Sequence, residues 1–280
     1  MLGFSLLMVS VAAQTQNSRP ASAASYRMRG LDWLAKGQLD LALTDFEFAI
    51  TFDPNSAMNF YCRGIALFDK GEFDKAEADF DKAIGLNPDF TEAFYNRGLI
   101  RQRRCDWQGA LTDYNRAILL NPRLKDIWNN RGNVKKASGD LDGAIIDFNK
   151  AIELDSNFAA AYNNRGNAKK GNGDLKGAIS DYTHAVQLDP LYAMAFFNRG
   201  LTRQSQEDLD GALADFDRAV EIAPHLIEPY FYRGQLLLNY RRNMPGAVRD
   251  FNRFLSLSQG SRPLMEKQIR ELMDRTMAKY

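Results

Sequence analysis

The dipeptide Arg-Gly recurs seven times in this chain at an unbroken spacing of 34 residues, with the glycines at Gly30, Gly64, Gly98, Gly132, Gly166, Gly200 and Gly234. An aromatic residue stands four positions before each of these glycines. A regular period of this length indicates tandem structural repeats, in which each unit packs only against its neighbours. The chain is therefore expected to fold as a repeat array and not as one or two ordinary globular domains.

A second set of landmarks follows each repeat glycine. In the first repeat they are an alanine, an Asp-aromatic pair and another alanine, at Ala42, Asp45, Phe46 and Ala49. Spacings of three and four residues place apolar side chains on one face of an α-helix, so each repeat predicts two amphipathic helices. Turn glycines such as Gly139 separate the two helices, and prolines such as Pro122 end the second one.

Three repeats depart from this pattern at the turn, where Cys105, Glu207 and Arg241 replace glycine. The seventh repeat also needs one extra residue near Met244 to bring its Asp-aromatic pair into register. Residues other than glycine rarely adopt the left-handed conformation that such turns use. Looser or longer turns are therefore expected at these three positions.

Aromatic, glycine, alanine and proline positions at a 34-residue period closely resemble the tetratricopeptide repeat family over residues 23 to about 260. The resemblance implies an all-α fold, a right-handed solenoid of seven helix-turn-helix repeats at about 23–56, 57–90, 91–124, 125–158, 159–192, 193–226 and 227–261. Residues 262–280 carry an apolar stripe that includes Ile269 and predict a capping helix over the open face of the last repeat. A helix that binds a partner is the alternative.

The N-terminal segment, residues 1–22, begins with a short apolar run that ends in Val-Ala-Ala before a polar stretch. It resembles a secretory signal and predicts export, to the periplasm or as a secreted protein. The run is shorter than the roughly 20 residues that span a bilayer, so no stable transmembrane anchor is expected. Because no Lys or Arg precedes the run, a disordered tail on a cytoplasmic protein is the alternative.

Composition and motifs argue against an enzyme, a cofactor and a nucleic-acid partner. The 36 basic and 35 acidic residues give a net charge of +1, which provides no overall field to attract nucleic acid. Cys62 and Cys105 lack CxxC spacing, so neither a metal site nor a disulfide framework is indicated. There are only two histidines and no phosphate-binding glycine loop, and the acidic residues follow the repeat register instead of clustering.

A polar residue recurs two positions before the repeat glycine, on the side of the first helix opposite its packed face. Four consecutive repeats have asparagine there, at Asn96, Asn130, Asn164 and Asn198. An amide offers both a donor and an acceptor, which matches the backbone of an extended peptide whatever its sequence. The row resembles the asparagine ladder that lines the superhelix of O-linked N-acetylglucosamine transferases, which implies peptide binding without the transfer activity. A row of solvated helix residues is the alternative.

Further candidates flank this row. They are two asparagines one position after a repeat glycine, two lysines beside the row and two aromatics near its ends, namely Asn133, Asn167, Lys136, Lys170, Tyr61 and Phe197. The lysines favour an acidic or phosphorylated ligand, although a charged run is more often a solvated face. The aromatics are candidate side-chain pockets.

The arginine before each glycine and the aspartate before each second-helix aromatic recur in all seven repeats. The arginine lies about 100° from the asparagine row around the first helix. We therefore expect structural Arg-Asp pairs, within about 4 Å, that tie the two helices of a repeat together. An electrostatic comb for ligands is the alternative.

These patterns together predict a non-catalytic scaffold that binds an extended protein or peptide segment in its concave groove. The alternative is an accessory or assembly subunit of a larger complex, which would pack through its convex face or its C-terminal helix. The expected partner is a protein or peptide, acidic if the lysines engage it, and no oligomeric state is predicted.

Overall fold

The computed structural model describes residues 22–277, with side chains described through Asp274. That part of the chain contains fifteen α-helices and no strand, which confirms the all-α prediction. The helices are α1 Ala23–Ala35, α2 Leu39–Phe52, α3 Ala57–Lys70, α4 Phe73–Leu86, α5 Thr91–Arg103, α6 Trp107–Leu120, α7 Lys125–Ala137, α8 Leu141–Leu154, α9 Ala159–Gly171, α10 Leu175–Leu188, α11 Ala193–Ser205, α12 Leu209–Ile222, α13 Glu228–Asn239, α14 Met244–Ser258 and α15 Pro263–Met277. The predicted signal-like segment lies outside the described residues.

The first fourteen helices form seven helix-turn-helix repeats, each a first helix followed by a second. In the first, second and fourth to seventh repeats the two helices pack against each other, as α7 does against α8 and α9 against α10. In the C-terminal unit the second helix then packs against the first helix of the next repeat, as α8 does against α9. The chain divides into two compact units, one ending at Ile100 and the other beginning at Arg101.

The repeat glycine lets the two helices of a repeat approach closely. In the fourth repeat, a Cβ added to Gly132 of α7 would lie 2.7 Å from Cε1 of Phe148, the fully buried aromatic of α8. Contacts that short do not occur between relaxed atoms. The same arrangement recurs between Gly166 and Tyr182. The recurrent glycine is therefore required by the aromatic ring that packs over it.

The recurrent arginine and aspartate form the expected structural pairs. In six repeats the arginine Nη2 lies 2.6 or 2.7 Å from a buried aspartate Oδ1, in the pairs Arg29–Asp45, Arg63–Asp79, Arg131–Asp147, Arg165–Asp181, Arg199–Asp215 and Arg233–Asp250. The arginine Nε donates to the second carboxylate oxygen in each pair. This two-point geometry fixes the orientation of one helix against the other.

The same arginines also join consecutive repeats. Nη1 of Arg131 donates to Oδ1 of Asn115 in the preceding second helix, at 2.7 Å, and Arg165 does the same to Asn149 at 2.7 Å. The guanidinium carbon of Arg131 lies 4.8 Å from the ring centroid of Trp128 in its own helix. Each such arginine is therefore committed to the scaffold and not to a ligand.

The expectation of looser turns is wrong at Cys105 and Glu207. Both residues adopt left-handed backbone conformations, with φ of 59° and 65°, as Gly139 does at 92°. The turn after α11 keeps its closing hydrogen bond, from Asp208 N to Arg203 O at 3.0 Å. Both side chains are exposed, so they meet no neighbour and only the backbone conformation is strained.

The turn of the seventh repeat is longer by one residue, as expected. Four residues, Tyr240 to Asn243, separate α13 from α14, whereas two separate the helices of the second repeat and three those of the other earlier repeats. The left-handed position is Arg242, with φ of 55°, and not Arg241. The insertion therefore shifts the turn by one position and leaves Asp250 in place to pair with Arg233.

Helix α15 covers the apolar face of the last repeat, which confirms the predicted capping helix. Ile269 is fully buried and belongs to a cluster with Phe231, Phe251 and Phe254. Met265, Leu272 and Met273 pack against the same cluster. Between residues 22 and 277, none of the helices combines the length and the apolar character that crossing a membrane requires.

Candidate functional site

The first helices of the C-terminal unit lie on the inner side of its stack. Helix α7 contacts α9 directly, and α9 contacts α11, across the intervening second helices. No comparable contact joins α8 to α10 among the described helices. The closer approach of the first helices indicates that the stack curves toward them. The side of α7, α9 and α11 that faces away from the second helices is therefore the candidate concave face of this unit.

Five asparagine side chains of the first helices form one continuous chain of hydrogen bonds. Asn198 Nδ2 donates to Asn163 Oδ1 at 3.0 Å, and Asn163 Nδ2 donates to Asn164 Oδ1 at 3.4 Å. Asn164 Nδ2 in turn donates to Asn129 Oδ1 at 2.9 Å, and Asn129 Nδ2 donates to Asn130 Oδ1 at 3.4 Å. The chain crosses α11, α9 and α7, and we call it the amide chain.

The amide chain contains two kinds of asparagine. Asn129 and Asn163 are buried and connect one repeat to the next. Asn130, Asn164 and Asn198, which the sequence placed on the groove row, are half-buried. An amide nitrogen carries two hydrogens, so Asn164 and Asn198 each keep an N–H for which the described residues supply no acceptor. Asn164 and Asn198 are therefore held in orientation and still able to donate to a ligand.

Asn96, in the N-terminal unit, has different partners. Its Nδ2 donates to the hydroxyl of Tyr61 at 3.2 Å and to the carbonyl of Glu92 at 2.8 Å. The Tyr61 ring packs on Phe90, with ring centroids 4.7 Å apart, and burial raises the pKa of its hydroxyl. Tyr61 thus holds Asn96 in place and is itself half-buried. Its role as a groove aromatic stays a prediction.

Asn133 and Asn167 occupy equivalent positions but differ in their hydrogen bonds. Asn167 Oδ1 accepts from the hydroxyl of Tyr182 at 2.8 Å. The matching aromatic in the repeat of Asn133 is Phe148, which has no hydroxyl. Within the described part of the chain Asn133 has no side-chain partner, so both its donor and its acceptor are available.

The structure separates the basic residues of the middle repeats into two groups. Lys135 Nζ lies 3.0 Å from the buried Asp147 carboxylate, and Lys169 Nζ lies 2.9 Å from Asp181. The adjacent Lys136 and Lys170 form no ion pair with any side chain that the structure describes. Both are half-buried, and desolvation lowers the pKa of each ammonium group below its ordinary value. Only this second group is free to meet a ligand.

Phe197 is placed in the core and not on an open pocket. Only 7% of its surface is exposed, and its ring centroid lies 5.9 Å from that of Phe216 and 5.7 Å from that of Tyr232. The residue stands three positions before the repeat glycine, like Asn129 and Asn163, a position that faces the next repeat. An apolar residue there packs against that repeat instead of lining a pocket.

Comparisons with known proteins agree with these observations. A TPR repeat model matches residues 132–173, and tetratricopeptide repeat models match residues 59–90, 91–124 and 163–227. The chain belongs to the tetratricopeptide repeat family. A search of curated proteins finds no match to the sequence.

Solved tetratricopeptide repeat structures resemble large parts of this chain. YrrB, described as having an unusual peptide-binding site, is 26% identical with a TM-score of 0.54, over 64% of this chain and 92% of YrrB. PilF of Pseudomonas aeruginosa is 18% identical with a TM-score of 0.67, over 76% of this chain and 97% of its own. A tetratricopeptide repeat protein of Parabacteroides merdae is 19% identical with a TM-score of 0.68, over 92% and 100%. The last two show a shared fold alone.

The two thiols and two histidines of this tetratricopeptide repeat protein belong to four different repeats. Burial raises the pKa of the Cys62 thiol to about 11, whereas Cys105 is exposed in a turn. His184 stacks on Tyr162, with ring centroids 5.4 Å apart. Among the described side chains no group of three or more His, Cys, Asp or Glu residues could hold a metal ion.

Proposed function

We propose that this tetratricopeptide repeat protein is a non-catalytic scaffold that binds an extended peptide segment across the first helices of its fourth to sixth repeats. The amide chain is the observation that supports this proposal. It holds three half-buried asparagines, Asn130, Asn164 and Asn198, in a row with fixed orientation. Binding groups that are ordered beforehand lose less conformational entropy when a ligand arrives.

The peptide backbone is the ligand group that fits such a row. A backbone repeats one N–H and one C=O at every residue, and each amide side chain complements both. At about 1 kcal/mol for each net hydrogen bond, three amides give only weak affinity, so side chains of the peptide must add to it. The likeness to YrrB, a tetratricopeptide repeat protein with an unusual peptide-binding site, is consistent with this proposal.

A random dodecapeptide library displayed on phage tests the proposal. Selected peptides are synthesised with a fluorophore, and their dissociation constants are measured by fluorescence anisotropy. Replacing two groove donors, in Asn164→Ala/Asn198→Ala, is expected to weaken binding by about tenfold or more. The matched control Asn157→Ala/Asn252→Ala removes two exposed asparagines outside the first helices and leaves affinity unchanged. Thermal melts establish that both variants fold.

Equal affinities in the two variants contradict the proposal. In that case the assembly alternative is examined through Leu264 of α15, which is 80% exposed. Truncation of α15 is not a usable test because Ile269 is part of the core of the last repeat. Leu264→Asp removes an apolar contact from the surface of the helix while leaving that core intact.

A further inference from the structure

Lys136 and Lys170 occupy the same position in consecutive repeats, four residues after the repeat glycine. Lys136 follows Asn129 by seven residues, which is two helical turns, so both side chains leave α7 on the same side. That side faces α9, since Asn129 accepts a hydrogen bond from Asn164. Lys170 stands in the same relation to Asn163 in α9. The two lysines therefore form a second row, about 10 Å along the helices from the amide chain.

The positive charges of this second row have no ion-pair partner between Ser22 and Asp274. The neighbouring Lys135 and Lys169 each reach a buried aspartate, but Lys136 and Lys170 reach no carboxylate in the described residues. The turn carboxylate next along the chain from Lys136, Asp140, accepts a hydrogen bond from Gly143 N as a helix cap. Asp174, the corresponding turn aspartate after Lys170, accepts a hydrogen bond from Gly177 N.

Half-burial distinguishes these lysines from solvated surface charges. A lysine that serves only solubility extends its ammonium group into water and keeps its ordinary pKa. Here the surroundings desolvate the ammonium groups, and no acidic side chain in the described part of the chain compensates. A ligand carboxylate placed at this row would compensate for the lost hydration of the ammonium groups, because an ion pair is stronger where water is partly excluded.

We infer that the peptide bound in the groove carries two carboxylate side chains, which Lys136 and Lys170 hold beside the amide chain. This inference rests on the proposed peptide-binding function. Packed helices lie roughly 8 to 10 Å apart, and an extended chain rises about 3.4 Å per residue. The two acidic residues of the ligand are therefore two or three positions apart in its sequence.

The random dodecapeptide library is again the probe, selected in parallel on wild type, on Lys136→Gln/Lys170→Gln and on the control Lys150→Gln/Lys176→Gln. Both variants lose two positive charges, and the control lysines lie on second helices. Peptides selected on wild type and on the control are expected to be enriched in Asp or Glu pairs at that spacing. Peptides selected on Lys136→Gln/Lys170→Gln are expected to lack the enrichment. The affinity of this variant for an acidic peptide selected on wild type falls about tenfold.

Two results overturn the inference while leaving the proposed function standing. One is a wild-type selection without acidic enrichment whose peptides still depend on Asn164 and Asn198. The other is an enrichment that survives in Lys136→Gln/Lys170→Gln or is lost equally in the control. A library from which wild type selects no peptide contradicts peptide binding itself, and with it this inference.

Discussion

Asn164 Nδ2 donates a hydrogen bond of 2.9 Å to Asn129 Oδ1, 35 residues earlier in the preceding first helix. The donor belongs to the half-exposed groove row, and the acceptor is buried between repeats. One bond therefore connects the surface proposed for binding to the interior that holds the repeats together. Changes on one side of it are expected to affect the other, and stability and binding have to be measured together.

Asn163→Ala removes a buried member of the amide chain and is expected to lower the free energy of unfolding by about 1 to 2 kcal/mol. It breaks the bond from Asn198 and the bond to Asn164. Asn133→Ala is the control, since that side chain has no partner in the described structure, and alanine favours the helix. Urea denaturation followed by circular dichroism measures both, and equal stabilities would argue against a structural role of the chain.

Gly132→Ala is expected to destabilise the fourth repeat by roughly 1 to 3 kcal/mol, because the added methyl group meets the Phe148 ring at 2.7 Å. Gly85→Ala is the matched helical control. No atom lies within 4 Å of a Cβ at that position, so alanine there is expected to raise stability by a few tenths of a kcal/mol. The melting temperatures of the two variants are compared with that of the wild type. Equal shifts in both variants would contradict the close packing of Gly132 against Phe148.

Glu207→Gly is expected to stabilise the sixth repeat by about 0.5 to 1 kcal/mol. Glu207 holds a left-handed φ of 65°, a conformation that costs a residue with a Cβ about 1 kcal/mol or more. The converse change Gly139→Ala forces alanine into φ of 92° and is expected to cost a similar amount. Opposite shifts in melting temperature are the expected readout. A loss of stability in Glu207→Gly would show that the turn is unstrained.

The two thiols are expected to differ sharply in reactivity. The thiolate is the reactive form, and a pKa of about 11 keeps the buried Cys62 protonated at neutral pH. Titration of the native protein with a disulfide reagent is expected to show one fast-reacting thiol, and a second after denaturation. Cys105→Ser removes the fast phase. Two fast thiols in the native protein would contradict the burial of Cys62.

The register of the repeats allowed much of the scaffold to be predicted. The separation between Gly132 and Phe148 recurs in the first six repeats and is longer by one residue in the seventh, so one helical pattern places the equivalent contacts. The pairing of Arg131 with Asp147 follows from the same register. The sequence predicts a looser turn at Glu207, whereas the structure keeps the tight turn. The sequence does not show that the Glu207 side chain is exposed, so that the left-handed backbone causes no clash with a neighbouring residue.

The candidate site was less predictable, because it depends on small differences between equivalent positions. Lys135 and Lys136 are adjacent in sequence but point about 100° apart, and only Lys135 follows Arg131 by one helical turn toward Asp147. That spacing was a signal that could have separated the two lysines. The direction of each amide bond depends on the contact between neighbouring first helices, which no single-helix pattern contains.

The bonds that cross from one repeat to the next also bear on how such a chain can change in length. If residues 159–192 were removed, α11 would follow α8, and Arg199 would face Asn149 in place of its present partner Thr183. Asn198 would likewise face Asn129 in place of Asn163. Each new partner is an acceptor of the kind already used at that position elsewhere in the chain. A whole repeat could therefore be deleted or duplicated without loss of the hydrogen bonds between repeats. Such a change would alter the length of the proposed binding surface and conserve the side chains that line it.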